Sequence, residues 1–343
     1  RIACVDCDVL HAARLRRAFV GGLWDTYRLE RVVDRGCRQG VSIYEGSQGG
    51  LFLSGLRARL TNLQTVWRSR QNIHYHYDLG NDLFRTMLDA RMVYSCAYWN
   101  DTDSLVEAQE AKLEMVCRKV QLEPGQRVLD IGCGWGSFCK YAAERYQVAS
   151  VGISTSSNQL ALAREMCAGL PIELKLMDYR ALAGERADAV VSIGMFEHVG
   201  YKDCAPSMRT VRSCLRPDGR FLLHTIGSSR SELNGHLWIG RHIFPNPMLT
   251  SLAQITRAAE GVFVIEHVQN IGSHYDKTLM AWYRNFERGW ETLRAAYGDR
   301  FYRLWKCYLL SCAGLFRARR AQVYQVVLSP SGLPPPGFRS TAT

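Results

Sequence analysis

The densest chemical signal lies in Val128-Leu-Asp-Ile-Gly-Cys-Gly-Trp-Gly136. An apolar run delivers the chain to Asp130. Gly132 and Gly134 then let the backbone turn and approach a ligand closely, and the helix expected next offers free N–H groups. A dinucleotide fold would seat a pyrophosphate on G-x-G-x-x-G. Here an acid precedes three alternating glycines, Gly132, Gly134 and Gly136. A carboxylate facing the ligand repels pyrophosphate and suits the amino group of an amino-acid-bearing nucleoside. That favours S-adenosylmethionine over NAD; a purely structural glycine turn is the minority alternative. The second strand ends without the ribose-gripping acid and supplies hydroxyls and an amide instead, on Ser154, Thr155 and Gln159. Asp178 and Tyr179 end the third strand, where an adenine amino group would be read, although turn chemistry explains either residue taken singly.

A second group of reactive side chains follows further along. Glu197-His198 comes after the fourth expected strand and His224 near the end of the fifth. Both therefore reach the carboxyl edge of the sheet, where ligands bind in such folds. Cys4-x-x-Cys7, with His11 nearby, has no second pair at zinc-ribbon spacing, so a metal site is not expected. The other cysteines of the twelve read as small buried hydrophobes in a reducing compartment.

These residues need a scaffold, and the chain alternates strand-like and helix-like segments from residue 110 onward. Strands are expected at 126–131, 148–154, 172–178, 187–194 and 220–227, with helices near 136–146, 157–168 and 203–216. Alternation at this spacing means crossover units and a parallel sheet covered on both faces. An irregular stretch at 228–250 precedes a strand near 262–270, two long helices at 278–297 and 300–320, and a last strand at 322–328. The second long helix aligns Phe301, Leu304, Trp305, Tyr308, Leu309, Cys312, Leu315 and Phe316 on one face. The expected fold class is therefore α/β, a doubly wound and mostly parallel sheet. Residues 1–70 read as a small basic helical region, with short helices at 10–20 and 51–67; 71–330 as the catalytic domain; and 331–343 as a loose tail.

The chain has 343 residues and a formal charge of +11. Residues 1–70 hold 12 Arg, no Lys and 6 acids, and residues 301–343 hold 5 Arg, 1 Lys and no acid, so each end carries +6 and the middle −1. Such flanks suit phospholipid headgroups or nucleic acid. An aromatic–basic recognition motif for nucleic acid is lacking, so no nucleic-acid partner is expected. No run of 18 apolar residues is present for a membrane span. The opening on Arg1, without Met, reads as a shortened start.

With those residues in view, the chain resembles the cyclopropane-fatty-acyl-phospholipid synthases and mycolic acid cyclopropane synthases. The resemblance rests on His76-Tyr-Asp-Leu-Gly-Asn-Asp82, Tyr94-Ser-Cys-Ala-Tyr-Trp99, Leu129–Gly136, Gly194-Met-Phe-Glu-His-Val-Gly200, Leu222-Leu-His-Thr-Ile-Gly227, Tyr275-Asp-Lys-Thr-Leu279 and Cys312-Ala-Gly-Leu-Phe-Arg317, in that order. It implies a seven-stranded sheet of the class I S-adenosylmethionine-dependent methyltransferase fold. It also implies methylene transfer to the cis double bond of an unsaturated phospholipid acyl chain. Tyr94 and Ser95 then match cofactor contacts, and a bicarbonate ion held by Cys96, Glu197, His224, the Ile226 backbone and Tyr275 accepts the proton. Direct proton abstraction by Glu197 is the competing reading. Cys312 matches a cysteine once considered catalytic, but alkene methylation needs no thiolate, so it reads as pocket-lining. The implied setting is cytoplasmic, peripheral at a bilayer through the Arg-rich flanks, and dimerisation is implied by the resemblance alone. The alternatives are a small-molecule N-methyltransferase or another lipid C-methyltransferase of the same fold, and a core that has lost its activity.

Overall fold

A computed structural model describes residues 16, 18–23, 25, 26, 28–39, 80–182, 184–231, 237–244 and 248–332. The expected helix at 51–67, the tail beyond residue 332, the Cys4/Cys7/His11 group and His76-Tyr77 lie outside the described residues.

Strands β1 (Arg127–Ile131), β2 (Ala149–Ser154), β3 (Ile172–Leu176), β4 (Ala187–Ile193) and β5 (Leu215–Ser228) form the parallel part of one sheet. Two later strands, β7 (Val264–Asn270) and β8 (Gln322–Ser329), complete the order β3-β2-β1-β4-β5-β8-β7. β8 runs antiparallel to both β5 and β7. The sequence led to seven strands; an eighth, β6 (Thr250–Ser251), is a two-residue pairing with the end of β5. Reversal of order beside β1 opens a crevice at the carboxyl ends of β1 and β4, the switch point where ligands bind in doubly wound sheets. The central strands are buried on both faces: Val128, Leu129, Val190, Val191, Leu222 and Leu223 are all nearly inaccessible. That is why they read as continuous apolar runs and not as alternating ones.

Helices α4 (Ser137–Tyr146), α5 (Ser157–Met166) and α6 (Cys204–Cys214) are the crossovers expected between strands. Several other helices were not expected. α3 (Leu105–Lys119) is capped by Ser104, whose side chain accepts from the Glu107 N–H. α8 (Leu252–Ala259) begins in a capping box formed by Ser251 and Gln254. α3 escapes pattern reading because its buried face carries Gln109, Lys112 and Lys119 among the apolar residues. α7 (Leu237–His242) interrupts the stretch expected to be irregular.

The two long helices form one run, α9 (Ser273–Arg317), broken at Gly298, whose φ of 74° and ψ of 160° are non-helical. The break returns the chain, so the two arms pack against each other. Tyr275 and Phe316, near opposite ends, place their ring centroids 4.6 Å apart. Arg317 donates to both oxygens of Asp276 at 2.8 and 2.9 Å. At the other end of the chain, α1 (Leu29–Arg38) lies against α9 so closely that a Cβ on Gly314 would stand 2.6 Å from the Glu30 carbonyl oxygen. α2 (Asn81–Met87) adds Leu83, Phe84 and Met87 to the same apolar core. No helix among the described residues is long and apolar enough to cross a membrane.

Candidate active site

Two adjoining cavities open at the carboxyl edge of the sheet. The first, about 1020 Å³ with its mouth included, lies over the turn after β1. Of the eleven residues proposed for the cofactor, Tyr94, Ser95, Asp130, Gly132, Gly134, Ser154, Thr155, Gln159, Asp178 and Tyr179 all line it. Gly136 does not. It ends the turn at the N-cap of α4 with φ 78°, and a Cβ there would meet Cys167 Sγ at 2.9 Å, so its role is packing. Gly132 is constrained more severely: at φ 92° an added Cβ would stand 2.7 Å from Met195 Cβ.

Buried polar atoms without a protein partner mark where a ligand fits. Asp130 Oδ1 and Thr155 Oγ1 are two of these, both on this cavity's lining residues. Burial pushes the Asp130 carboxyl up to about 7, against the weaker pull of the Cys139 thiol and of Lys112. A cationic amino group would complete this acid, as S-adenosylmethionine carries. Asp178 is already engaged, its carboxylate accepting from the Arg180 side chain at 2.8 and 2.7 Å. Ser154 Oγ lies 3.4 Å from Gln159 Oε1 and accepts from the Ser156 N–H at 3.2 Å.

The second cavity, about 1160 Å³, lies beside the first and shares Tyr94, Ser95, Gly194 and His198 with it. Cys96, Glu197, His224, Ile226, Tyr275 and Cys312 all line it, together with Ile239, Phe244, Leu279, Leu315 and Phe316. The polar members come from segments far apart in the chain. Glu197 sits in the 3-10 turn after β4, His224 on β5, Tyr275 in the first turn of α9 and Cys312 in its last turns. Cys96 follows Ser95 in a segment tied down by the Ala97 N–H donating to Thr278 Oγ1 at 3.2 Å and by Gln109 Nε2 donating to the Ser95 carbonyl at 3.0 Å. The aromatics Trp282, Phe286 and Trp290 belong to the core; Trp282 is fully buried and packs on Tyr94 and Tyr275.

The electrostatics of this chamber favour neutral forms. Burial raises the Glu197 carboxyl to about 7, against the opposing Ile226 N–H, and keeps the Cys96 and Tyr275 protons on. It also holds His224 well below its ordinary value, with Lys112 and Lys119 acting in the same sense. Cys312 is pushed up to about 12 by burial, so it is a thiol and no nucleophile. The Ile226 backbone, which the resemblance places on the anion, meets Glu197 here. The Ile226 N–H donates to Glu197 Oε1 at 2.6 Å and is therefore spent inside the protein, orienting the carboxyl. Glu197 Oε2, by contrast, is buried with no protein partner. A small anion in the chamber thus has Glu197 Oε2 and the His224 and Tyr275 side chains to meet.

Sequence reading missed Lys112, Lys119 and Gln325. Lys112, in the lining of the first cavity, donates to Ser95 Oγ at 2.9 Å, and burial lowers it to about 8. Lys119 donates to Gln325 Oε1 at 2.7 Å.

Comparison with known proteins agrees with this geometry. The family model for mycolic acid cyclopropane synthetase matches residues 64–326. The cyclopropane-fatty-acyl-phospholipid synthase of Escherichia coli K12 is 47% identical over 318 residues, covering 92% of this chain and 82% of that one. Cyclopropane mycolic acid synthase 3 of Mycobacterium tuberculosis is 35% identical over 275 residues, 75% of this chain and 96% of that one. Among solved structures, the cyclopropane synthase MmaA2 from Mycobacterium tuberculosis superposes with a TM-score of 0.71 at 31% identity, covering 78% of this chain and 99% of that one. Coclaurine N-methyltransferase, at 18% identity and a TM-score of 0.77 over 93% of this chain, shares the fold. The chain belongs to the mycolic acid cyclopropane synthetase family of S-adenosylmethionine-dependent methyltransferases.

Proposed function

We propose that the protein adds a methylene group across the cis double bond of an unsaturated phospholipid acyl chain, leaving a cyclopropane ring. The observation that carries this reading is the pair of cavities with a common wall. One is the more polar and carries the residues suited to S-adenosylmethionine; the other is largely apolar, with a few polar groups in its wall.

S-adenosylmethionine supplies an electrophilic methyl when bound. Asp130 Oδ1 and the turn at Gly132 and Gly134 would hold its amino-acid end, with Thr155, Gln159, Asp178 and Tyr179 along the nucleoside. An alkene is a poor nucleophile, so the protein's part is to align it and keep water out. Leu279, Ile239, Phe244, Leu315 and Phe316 do this by surrounding the acyl chain, each buried CH₂ contributing about 0.8 kcal/mol to binding. Water at the cationic carbon would give an alcohol in place of a ring.

Ring closure needs a proton acceptor. We assign it to bicarbonate, held by neutral Glu197 together with His224 and Tyr275, with Cys96 at the edge. The Ile226 amide contributes by fixing Glu197. Direct abstraction by Glu197 is the competing reading: its Oε1 already accepts from the Ile226 N–H, but its Oε2 has no protein partner.

The bilayer is the source of substrate, reached peripherally through the Arg-rich ends. Raised salt then weakens binding to anionic vesicles. The deciding assay incubates the chain with labelled S-adenosylmethionine and vesicles of unsaturated phospholipid. Label in the acyl chains with a gain of one CH₂ supports the reading; label confined to amines, or none, ends it. Stripping bicarbonate from the buffer should slow the reaction, and an unchanged rate would hand the proton to Glu197.

A further inference from the structure

Behind His224 lies a row of polar side chains that the reaction chemistry does not by itself require. His224 on β5 pairs in register with Gln325 on β8, and Gln325 pairs with Gln269 on β7. Residues opposite one another in antiparallel register lie on one face of the sheet, within reach of each other. Above this row stands Lys119, buried at the end of α3. Its Nζ is 2.7 Å from Gln325 Oε1 and 2.5 Å from Gln269 Oε1.

The chemistry of these groups fixes the direction of each bond. An ammonium has donors and no acceptor, so Gln325 must turn its carbonyl oxygen to Lys119. Its NH₂ then faces His224, and it lies 3.2 Å from Nδ1. An amide NH₂ donates only, so Nδ1 accepts. The ring is neutral, since burial and the two lysines hold its pKa far down. A neutral imidazole carries one proton, and with Nδ1 accepting, that proton is on Nε2.

We propose that Lys119 and Gln325 are positioning residues that set the tautomer of His224, so that its ring presents an Nε2–H donor to the chamber it lines. The proposal rests on the reading that a small anion is held there. It matters because the Ile226 N–H is already engaged by Glu197. A bare Nε2 would turn a lone pair towards the anion and leave the Tyr275 hydroxyl and the protonated Glu197 carboxyl as the remaining side-chain donors. A glutamine buried in the middle of an apolar strand, and a lysine buried on the apolar side of α3, are otherwise costly choices.

The test reads the tautomer directly. The full chain is labelled with ¹⁵N-histidine, and long-range ¹H–¹⁵N correlation reports which ring nitrogen of His224 is bare; loss of the signal in His224→Asn assigns it. Wild type should show a bare Nδ1 and a protonated Nε2. Gln325→Glu offers acceptors alone, so the proton should move to Nδ1. The turnover number for lipid should then fall on the order of 10²–10³-fold, the cost of losing one donor to a developing or bound anion. Affinity for S-adenosylmethionine, read by calorimetry, should stay as in wild type. Lys119→Met, which frees the amide to rotate, should give a mixture of tautomers and a smaller loss. If Gln325→Glu does not fold, Lys119→Met carries the same comparison.

A protonated Nδ1 in wild type overturns the proposal, as does a variant that loses turnover with its tautomer unmoved. Wild type that forms no cyclopropane lipid would overturn the proposed function instead, while the spectrum would still decide the tautomer.

Discussion

The cavity at the glycine turn and the chamber beside it share a wall, but they are assembled in different ways. The first is built mostly from consecutive backbone: Asp130 to Gly134, then Ser154 and Thr155, then Asp178 and Tyr179. Its shape depends on a few torsions that only glycine adopts easily. The chamber draws its polar groups from segments far apart in the chain, and its geometry exists only once α9 has folded back and β8 has paired with β5. One site is set by local chain geometry, the other by tertiary packing. Damage should therefore sort cleanly into lost cofactor binding or lost chemistry.

The strongest test of that separation is Glu197→Ala. It should reduce turnover on the order of 10²–10³-fold while leaving S-adenosylmethionine affinity as it was; a parallel collapse of cofactor binding would show the two cavities to be one unit. Next is Asp130→Asn, which removes a charge-assisted contact of about 1.5–3 kcal/mol and should weaken cofactor binding by roughly 10–100-fold, read by calorimetry. At saturating cofactor its turnover should approach wild type.

A pH series sharpens the same point. Asp130 becomes a carboxylate only near and above about 7. Affinity for the cationic cofactor should therefore rise about tenfold per pH unit up to that point and then level off, a slope absent in Asp130→Asn. Stability of the unliganded protein runs the other way. Asp130 and Glu197 hold their protons in the fold at pH values where the unfolded chain has released them. The stabilisation they give is complete below about 4 and is lost as pH rises to about 7, at roughly 1.4 kcal/mol per unit for each group. Thermal melts at pH 5 and 7.5 would detect it. The smallest effect belongs to Cys312→Ser, which should keep most activity, since a thiol held near 12 serves as wall and not as nucleophile.

The same contrast explains what the sequence disclosed. The glycine turn was legible because its residues are contiguous and its chemistry is local. The positions of the strands along the chain were legible because Val128–Ile131 and Arg220–Gly227 are apolar runs broken by turn residues. Lys112, Lys119 and Gln325 were not, because each looks like an interruption of an apolar pattern until its partner is known. Gln325 sits between Val323 and Val326, and nothing nearby in sequence hints at His224. The contact between the Ile226 amide and Glu197 was hidden for a related reason. A backbone N–H has no signature in sequence, and only the fold places Glu197 against it.

The hairpin made by α9 at Gly298 carries a consequence for how this enzyme could change length. Both arms meet the chamber, Tyr275 near the start and Cys312 near the end, so the angular phase of each arm fixes which side chains face the lipid. An α-helix turns by about 100° for every residue. One residue inserted between Tyr275 and Gly298 would swing the tyrosine away from Phe316 and part Asp276 from Arg317. Removing a whole turn from both arms would keep the facing and merely shorten the stalk.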